Sequence, residues 1–186
     1  MENRDLLEFA ENSARGAGEI LRRNYGGKQS VHYKGEINLV TEVDRQSEAY
    51  ILGRIRSAYP DHGILSEESS EILSPSPFRW IVDPLDGTQA FIDGVPQFTI
   101  LIAYCINRVV TIGVVYNPAR GQMFTAILGQ SAFLNGERIF TTQRKDWSGS
   151  RVGVSRSGIS KGKADGRSHL HLFDIGSCGY KVCLVA

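Results

Sequence analysis

The chain has 186 residues, of which 41% are hydrophobic and 22% are charged, and its formal net charge is +1. This length allows one substantial domain, or one domain and part of a second. The near-neutral charge predicts no surface for a polyanion, so nucleic acid is not an expected partner. The charged N-terminal stretch lacks the apolar block of a signal peptide, and no run reaches the roughly 18 apolar residues that span a bilayer.

The cysteines agree with this picture. Cys105, Cys178 and Cys183 are an odd number, and their spacing is not that of metal ligands. Such residues are typical of reduced, structural thiols. We therefore expect a soluble cytoplasmic protein without membrane contact.

The first 60 residues predict two amphipathic helices. Apolar residues recur at steps of three and four over residues 6–21, and two glycines end this first helix. A short extended run is expected at 30–33. A second helix begins near Thr41, where Asp44 completes a candidate capping box, and it ends before Pro60.

The middle of the chain is rich in β-branched and aromatic residues. Asn135-Gly136 is a strong signal for a two-residue hairpin turn. Together with the two helices, these runs predict an α+β layered domain in which both helices cover an antiparallel sheet. The expected strands are at 63–65, 80–82, 98–105, 110–116 and 123–127.

The character of the chain changes after about residue 145. Strands are predicted at 151–155 and 172–175, and the glycine-rich, charged segment 158–169 between them is expected to be a loop. An apolar helix begins near Gly179. We therefore divide the chain into a domain at 1–145 and the start of a second domain at 146–186.

Three carboxylates follow the first two short strands. Glu67 comes after strand 63–65, and Asp83 and Asp86 come after strand 80–82. If these strands are neighbours, the carboxylates meet and repel each other unless a proton or a cation is supplied. Oxygen ligands of this kind suit Mg²⁺. Pro84 keeps Asp83 extended, which makes the Leu85 carbonyl a further candidate ligand.

The next two residues complete a site for phosphate chemistry. Gly87 allows the backbone to turn and approach a ligand, and the N–H groups of residues 87–89 would open a short helix toward Phe91. A helix N-terminus beside cations favours phosphate. The Thr88 hydroxyl is suited to orient a water nucleophile. These are the parts that metal-assisted hydrolysis of a phosphomonoester requires.

The two acidic motifs identify a family. The segments GILSEES at 63–69 and WIVDPLDGTQAF at 80–91 resemble the paired motifs of the inositol monophosphatase superfamily. The resemblance continues in NLVTEVD at 38–44, IGVVYNP at 112–118 and GSCGYKVCLVA at 176–186. It implies a layered αβαβα sugar-phosphatase fold, with the first domain complete and the second incomplete.

The resemblance also implies roles for individual residues. Glu67, Asp83 and the Leu85 carbonyl match the ligands of one metal, and Asp83 and Asp86 match those of another. Glu67 and Thr88 match the pair that handles the nucleophilic water, and Asp44 matches a carboxylate near that threonine. The substrate-binding positions that match are Asp86, Gly87, Thr88, Gly176 and Ser177.

The resemblance further implies that two or three Mg²⁺ ions bind, that Mn²⁺ can replace them and that Li⁺ inhibits the activity. It also implies a small phosphorylated metabolite as substrate. Inositol monophosphates and 3'(2'),5'-bisphosphate nucleotides are favoured about equally, and a homodimer is left open. The family's later Trp-Asp-x-Ala motif, which supplies a third aspartate, does not occur in these 186 residues. The alternative is therefore an impaired member that binds metal, phosphate or a protein partner.

Incompleteness of the second domain also leads to two physical expectations. Apolar strand residues such as Ile100, Ile102 and Val114 are expected to be partly uncovered, which would favour association. Without the third aspartate, we expect turnover far below that of a longer family member, unless Asp174 or Asp44 replaces that ligand.

Overall fold

The computed structural model describes residues 3–27, 31–34, 38–69, 71–143, 150–154 and 171–185, with side chains except at 31–34, 38–41 and 172. The expected loop at 158–169 lies outside the described residues. The described helices are α1 (Asn3–Asn24), α2 (Glu42–Ala58), α3 (Thr88–Ile92) and α4 (Cys178–Cys183). The strands are β1 (Val31–Lys34), β2 (Asn38–Thr41), β3 (Gly63–Ser66), β4 (Phe78–Asp86), β5 (Thr99–Ile106), β6 (Val109–Asn117), β7 (Gln122–Ile127), β8 (Ala132–Leu134), β9 (Glu137–Arg138), β10 (Arg151–Val154) and β11 (His171–Asp174).

Helices α1 and α2 form as their sequence periodicity predicts. The buried residues of α1 run from Leu6 to Leu21 at helical spacing, and Gly26 follows the helix with a φ of 77°. Helix α2 buries Ile51, Leu52 and Ile55 on one face. Both helices pack against the large sheet because each has one apolar stripe that must leave water.

The large sheet has seven strands in the order β3-β4-β5-β6-β7-β8-β9. Strands β4 to β9 pair antiparallel in sequence order, but β3 pairs parallel with β4. The expectation of an antiparallel sheet was therefore wrong at this edge. The connection 67–77 crosses from the end of the sheet where β3 stops back to the end where β3 began, which allows parallel pairing.

The expectation that Ile100, Ile102 and Val114 are partly uncovered was wrong. Their exposed fractions are 0%, 2% and 1%, and all three belong to the main core cluster. Alternate residues of a strand face opposite sides of the sheet, so these three point toward α1 and α2. The helices of the first 60 residues are sufficient to cover them.

Replacing Ile102 with alanine should lower the free energy of unfolding by about 2–5 kcal/mol, because it leaves a cavity in this closed core. Urea unfolding of the purified chain measures the loss. Leu73, which is 76% exposed, provides the control, since its alanine variant should stay within about 0.5 kcal/mol of wild type. Equal losses in the two variants would contradict the placement of Ile102.

The hairpin prediction at Asn135-Gly136 is confirmed. Both residues have positive φ, at 50° and 84°, and they connect the antiparallel strands β8 and β9. Strands β10 and β11 form a separate parallel pair, and α4 follows them. Within the described residues, no helix is long and apolar enough to cross a bilayer.

Candidate active site

The parallel pairing of β3 and β4 brings two of the predicted carboxylates together. Ser66 lies opposite Val82 in the ladder, so Glu67 and Asp83 are the next residues on adjacent strands. The Glu67 backbone N–H donates a hydrogen bond of 3.2 Å to the Val82 carbonyl, which extends the pairing by one step. The two carboxyl groups are close enough to hydrogen bond to each other. This pair confirms that β3 and β4 are neighbours, as the sequence analysis assumed.

The environment of Asp83 disfavours a negative charge. Burial raises the pKa of the Asp83 carboxyl to about 8, with the nearby charges of Glu67 and Asp86 acting in the same direction. The Leu85 N–H, 3.0 Å from Asp83 Oδ1, lowers the pKa but does not compensate. The Asp83 carboxyl therefore keeps a proton where a cation could take its place.

Asp86 is hydrogen-bonded to the start of α4. Strand β4 extends beyond the expected 80–82 to Asp86, with an irregular register between Asp83 and Asp86. Asp86 Oδ2 accepts hydrogen bonds of 2.6 Å from Ser177 Oγ and 2.7 Å from the Gly179 N–H. Asp86 Oδ1 accepts one of 3.1 Å from the Cys178 N–H. The carboxylate therefore caps the N-terminal end of α4. No pattern in the sequence had linked Asp86 to this helix.

This orientation affects the predicted metal site. Among the residues that the structure describes, no three His, Cys, Asp or Glu side chains are arranged to hold one metal ion. The side chains of Glu67 and Asp83 are neighbours, and the charge of Asp86 acts on Asp83. The oxygens of Asp86, however, accept hydrogen bonds from the start of α4. The donors fit a hard cation at the Glu67–Asp83 pair, beside the Leu85 carbonyl.

Gly87 makes the sharp turn into α3. Its φ of 92° lies in the left-handed region, and it is the N-cap residue of that helix. A β-carbon at this position would lie 2.9 Å from the Gln97 carbonyl oxygen and 3.1 Å from the Ser177 nitrogen. Glycine is therefore required for two reasons, the backbone conformation and the close approach of two other segments.

Replacing Gly87 with alanine should destabilise the chain by more than about 1–2 kcal/mol, the cost of a left-handed residue alone, because backbone atoms block the new methyl group. Gly94→Ala is the matched control. Gly94 also has positive φ, 70°, but no atom lies within 4 Å of the added carbon. Urea unfolding of both variants isolates the steric part. Equal losses would show that Gln97 and Ser177 move aside freely.

Thr88 connects α3 to α2. Its hydroxyl lies 3.2 Å from the Leu85 carbonyl oxygen and 3.4 Å from Asp44 Oδ1, and it donates to these acceptors. Asp44 is 2% exposed, on the face of α2 that packs on β4. The structure therefore places Asp44 beside Thr88, as the resemblance implied. While Thr88 Oγ1 donates, its lone pairs are left to accept a hydrogen bond from water.

Gly176 and Ser177 lie on the other side of the same site. The Gly176 N–H donates a 3.4 Å bond to the Gln97 side chain. Ser177 is buried, and its hydroxyl also contacts Thr99 Oγ1 at 2.8 Å. The side chain of Thr99, 3.4 Å from Asp86, was missed because one threonine in an apolar strand is usually structural. Glu48 and Ser47 of α2 were also missed.

Comparison with known proteins finds relatives along nearly the whole chain. The sequence model described as "Inositol monophosphatase family" matches residues 2–186. The chain is 34% identical over 196 residues to "Inositol monophosphatase" of Mesembryanthemum crystallinum, covering 98% of this chain and 73% of that protein. It is 40% identical over 148 residues to "Nus factor SuhB" of Haemophilus influenzae, covering 78% of this chain and 55% of that protein.

The fold is shared as well. A crystal structure of "extragenic suppressor protein suhB" from Bartonella henselae superposes with a TM-score of 0.89 at 30% identity. The match covers 97% of this chain and 74% of that one. The layered α+β architecture is therefore the same in the shared region.

Proposed function

Because the chain belongs to the inositol monophosphatase family, we propose that it is a Mg²⁺-dependent phosphatase that hydrolyses a small phosphorylated metabolite. The observation that carries this proposal is the Glu67–Asp83 pair, next to the Thr88–Asp44 contact. The burial of Asp83 and the nearby charge of Glu67 together call for a cation. A carboxylate pair and a hydroxyl poised for water are the components that metal-assisted hydrolysis uses.

Glu67, Asp83 and the Leu85 carbonyl would hold the cation, and Asp86 would join them if it left the end of α4. Mg²⁺ bound there supplies positive charge that neutralises the phosphate and the leaving oxygen. Since all of these groups are oxygen donors, they would prefer hard cations. Mn²⁺, which accepts the same ligands, is a practical probe.

The chain's own groups then orient the reactants. Thr88 Oγ1 donates a hydrogen bond to Asp44 or Leu85. It can therefore accept a hydrogen bond from the attacking water, and this bond orients the water's free lone pair toward phosphorus. We assign to Glu67, which is exposed at the end of β3, the proton that the water loses. The backbone N–H groups of Gly87 and Thr88 are assigned to the phosphate oxygens, where donors stabilise developing charge.

The substrate we propose first is an inositol monophosphate, because a relative named "Inositol monophosphatase" matches 98% of the chain. A 3'(2'),5'-bisphosphate nucleotide is the second class to be compared. The orientation of Asp86 favours a second candidate function, binding of metal and phosphate with little turnover. The Ser177 hydroxyl and the N–H groups of Cys178 and Gly179 already bind its carboxylate, so a cation would share those oxygens with α4.

The test is phosphate release from inositol 1-phosphate and adenosine 3',5'-bisphosphate over a Mg²⁺ series, with Mn²⁺ binding measured by calorimetry on the same preparation. Metal binding with metal-dependent release supports the phosphatase. Metal binding without release supports the second candidate. Absence of both would refute the proposed function for this chain.

A further inference from the structure

The buried face of α2 carries three polar residues where a core-facing helix normally carries apolar ones. Asp44, Ser47 and Glu48 occupy positions i, i+3 and i+4, so they lie on one side of the helix. Their exposed fractions are 2%, 0% and 6%. Burial of such groups costs free energy unless each is hydrogen-bonded, and apolar residues of similar size would often be as stable or more so. Stability alone does not explain this face.

Each of the three residues contacts a different segment of the candidate site. Asp44 accepts from Thr88 at the start of α3. The Ser47 hydroxyl donates a 3.0 Å bond to the Pro84 carbonyl, between Asp83 and Asp86. Glu48 contacts the last residue of β3 and the segment that follows it. One rigid helix therefore holds all three segments at fixed spacing.

The contacts of Glu48 are the most specific of the three. Its Oε1 accepts from Ser66 Oγ at 2.5 Å, and its Oε2 accepts from Ser69 Oγ at 2.6 Å. These serines flank Glu67 on both sides, so the two oxygens of one carboxylate hold both ends of the short segment that carries Glu67. Two short hydrogen bonds to one carboxyl group therefore restrain that segment at both ends.

We propose that Glu48 is a positioning residue: it clamps Ser66 and Ser69 and thereby fixes Glu67 against Asp83. The effect of Glu48 on metal binding rests on the proposed function. The clamp, meaning the two hydrogen bonds from Ser66 and Ser69 to Glu48, does not depend on it. Groups that orient metal ligands typically change metal affinity about 10–100-fold when they are replaced. Glu48→Leu should therefore weaken Mn²⁺ binding by a factor in that range.

The experiment compares Glu48→Leu and Glu48→Gln with Ser13→Ala in the full chain. Ser13 is also buried, but its hydroxyl donates to the Phe9 carbonyl within α1. The first measurement is amide hydrogen exchange without metal. In Glu48→Leu the Glu67 amide, which donates to Val82, should exchange at least about tenfold faster, while α1 exchanges as in wild type. Ser13→Ala should leave the Glu67 amide unchanged.

The second measurement is the Mn²⁺ dissociation constant by calorimetry. Glu48→Gln should bind more tightly than Glu48→Leu, because its amide retains one acceptor for a serine hydroxyl and can donate to the other. If Glu48→Leu does not fold, Ser69→Ala removes one of the two bonds and should still speed exchange at Glu67.

Uniformly faster exchange in α1 and at Glu67, or an unchanged Glu67 amide in a folded variant, would overturn the clamp. Unchanged Mn²⁺ affinity beside faster exchange would overturn the role in metal binding. If wild type binds no Mn²⁺, the proposed function fails, yet the exchange result still decides whether Glu48 fixes Glu67.

Discussion

Replacing Asp83 with asparagine is expected to eliminate metal-dependent stabilisation and to lower phosphate release by more than about 100-fold, the upper end of losses for groups that only orient ligands. In wild type, Mn²⁺ at 100 times its dissociation constant should stabilise the fold by about 2.7 kcal/mol. Asparagine provides only a neutral amide oxygen, so the variant should show no such gain. Thermal unfolding with and without Mn²⁺ measures the difference.

The same substitution should stabilise the chain without metal. The Asp83 carboxyl is destabilised as an anion by burial and by the charges of Glu67 and Asp86, and asparagine removes that cost. We expect a gain of about 0.5–2 kcal/mol in the free energy of unfolding by urea, the usual size for a stabilising substitution.

Asp61→Asn is the control, because Asp61 is exposed near the other end of β3. Its variant should keep the Mn²⁺ response of wild type. If Asp83→Asn also kept that response, the cation would not bind at the Glu67–Asp83 pair.

Replacing Thr88 with alanine is expected to lower kcat by about 10²–10⁴-fold, the range for groups that assist proton transfer and orient the nucleophile. KM should change little, because the Thr88 backbone N–H remains to contact phosphate. A loss that appears in kcat and kcat/KM alike indicates an interaction made in the transition state. Steady-state phosphate release at saturating Mg²⁺ provides both constants.

Thr88→Ser is the matched variant, since it keeps the hydroxyl that lies 3.4 Å from Asp44 and loses only a methyl group. It should recover most of the turnover. A change confined to KM in Thr88→Ala would instead mean that Thr88 serves only to hold the substrate.

Much of the site was predictable from local sequence patterns. Two short apolar strands end in acidic residues, and polypeptide geometry carries the residue after each strand to the same edge when the strands pair in parallel. The conformation of Gly87 was predictable too, because a glycine between Asp86 and Thr88 marks a turn that few other residues tolerate.

Other features depend on distant partners and had no local signal. Ser177 lies 91 residues beyond Asp86, and Ser66 lies 18 residues beyond Glu48, yet both pairs are hydrogen-bonded. Burial of Ile100 likewise depends on whether α1 and α2 reach it. A run of apolar residues predicts a strand but does not state how much of it neighbouring elements cover.

The sequence by itself determined the helical faces, the strands and which oxygen-bearing residues are available as ligands. Side-chain periodicity and turn chemistry encode these features within a few residues of chain. Only the tertiary structure decided that Asp86 turns toward α4 and that Glu48 holds the segment around Glu67. The direction of a carboxylate depends on which donors lie nearest to it after packing, and those donors come from segments that the fold alone brings together.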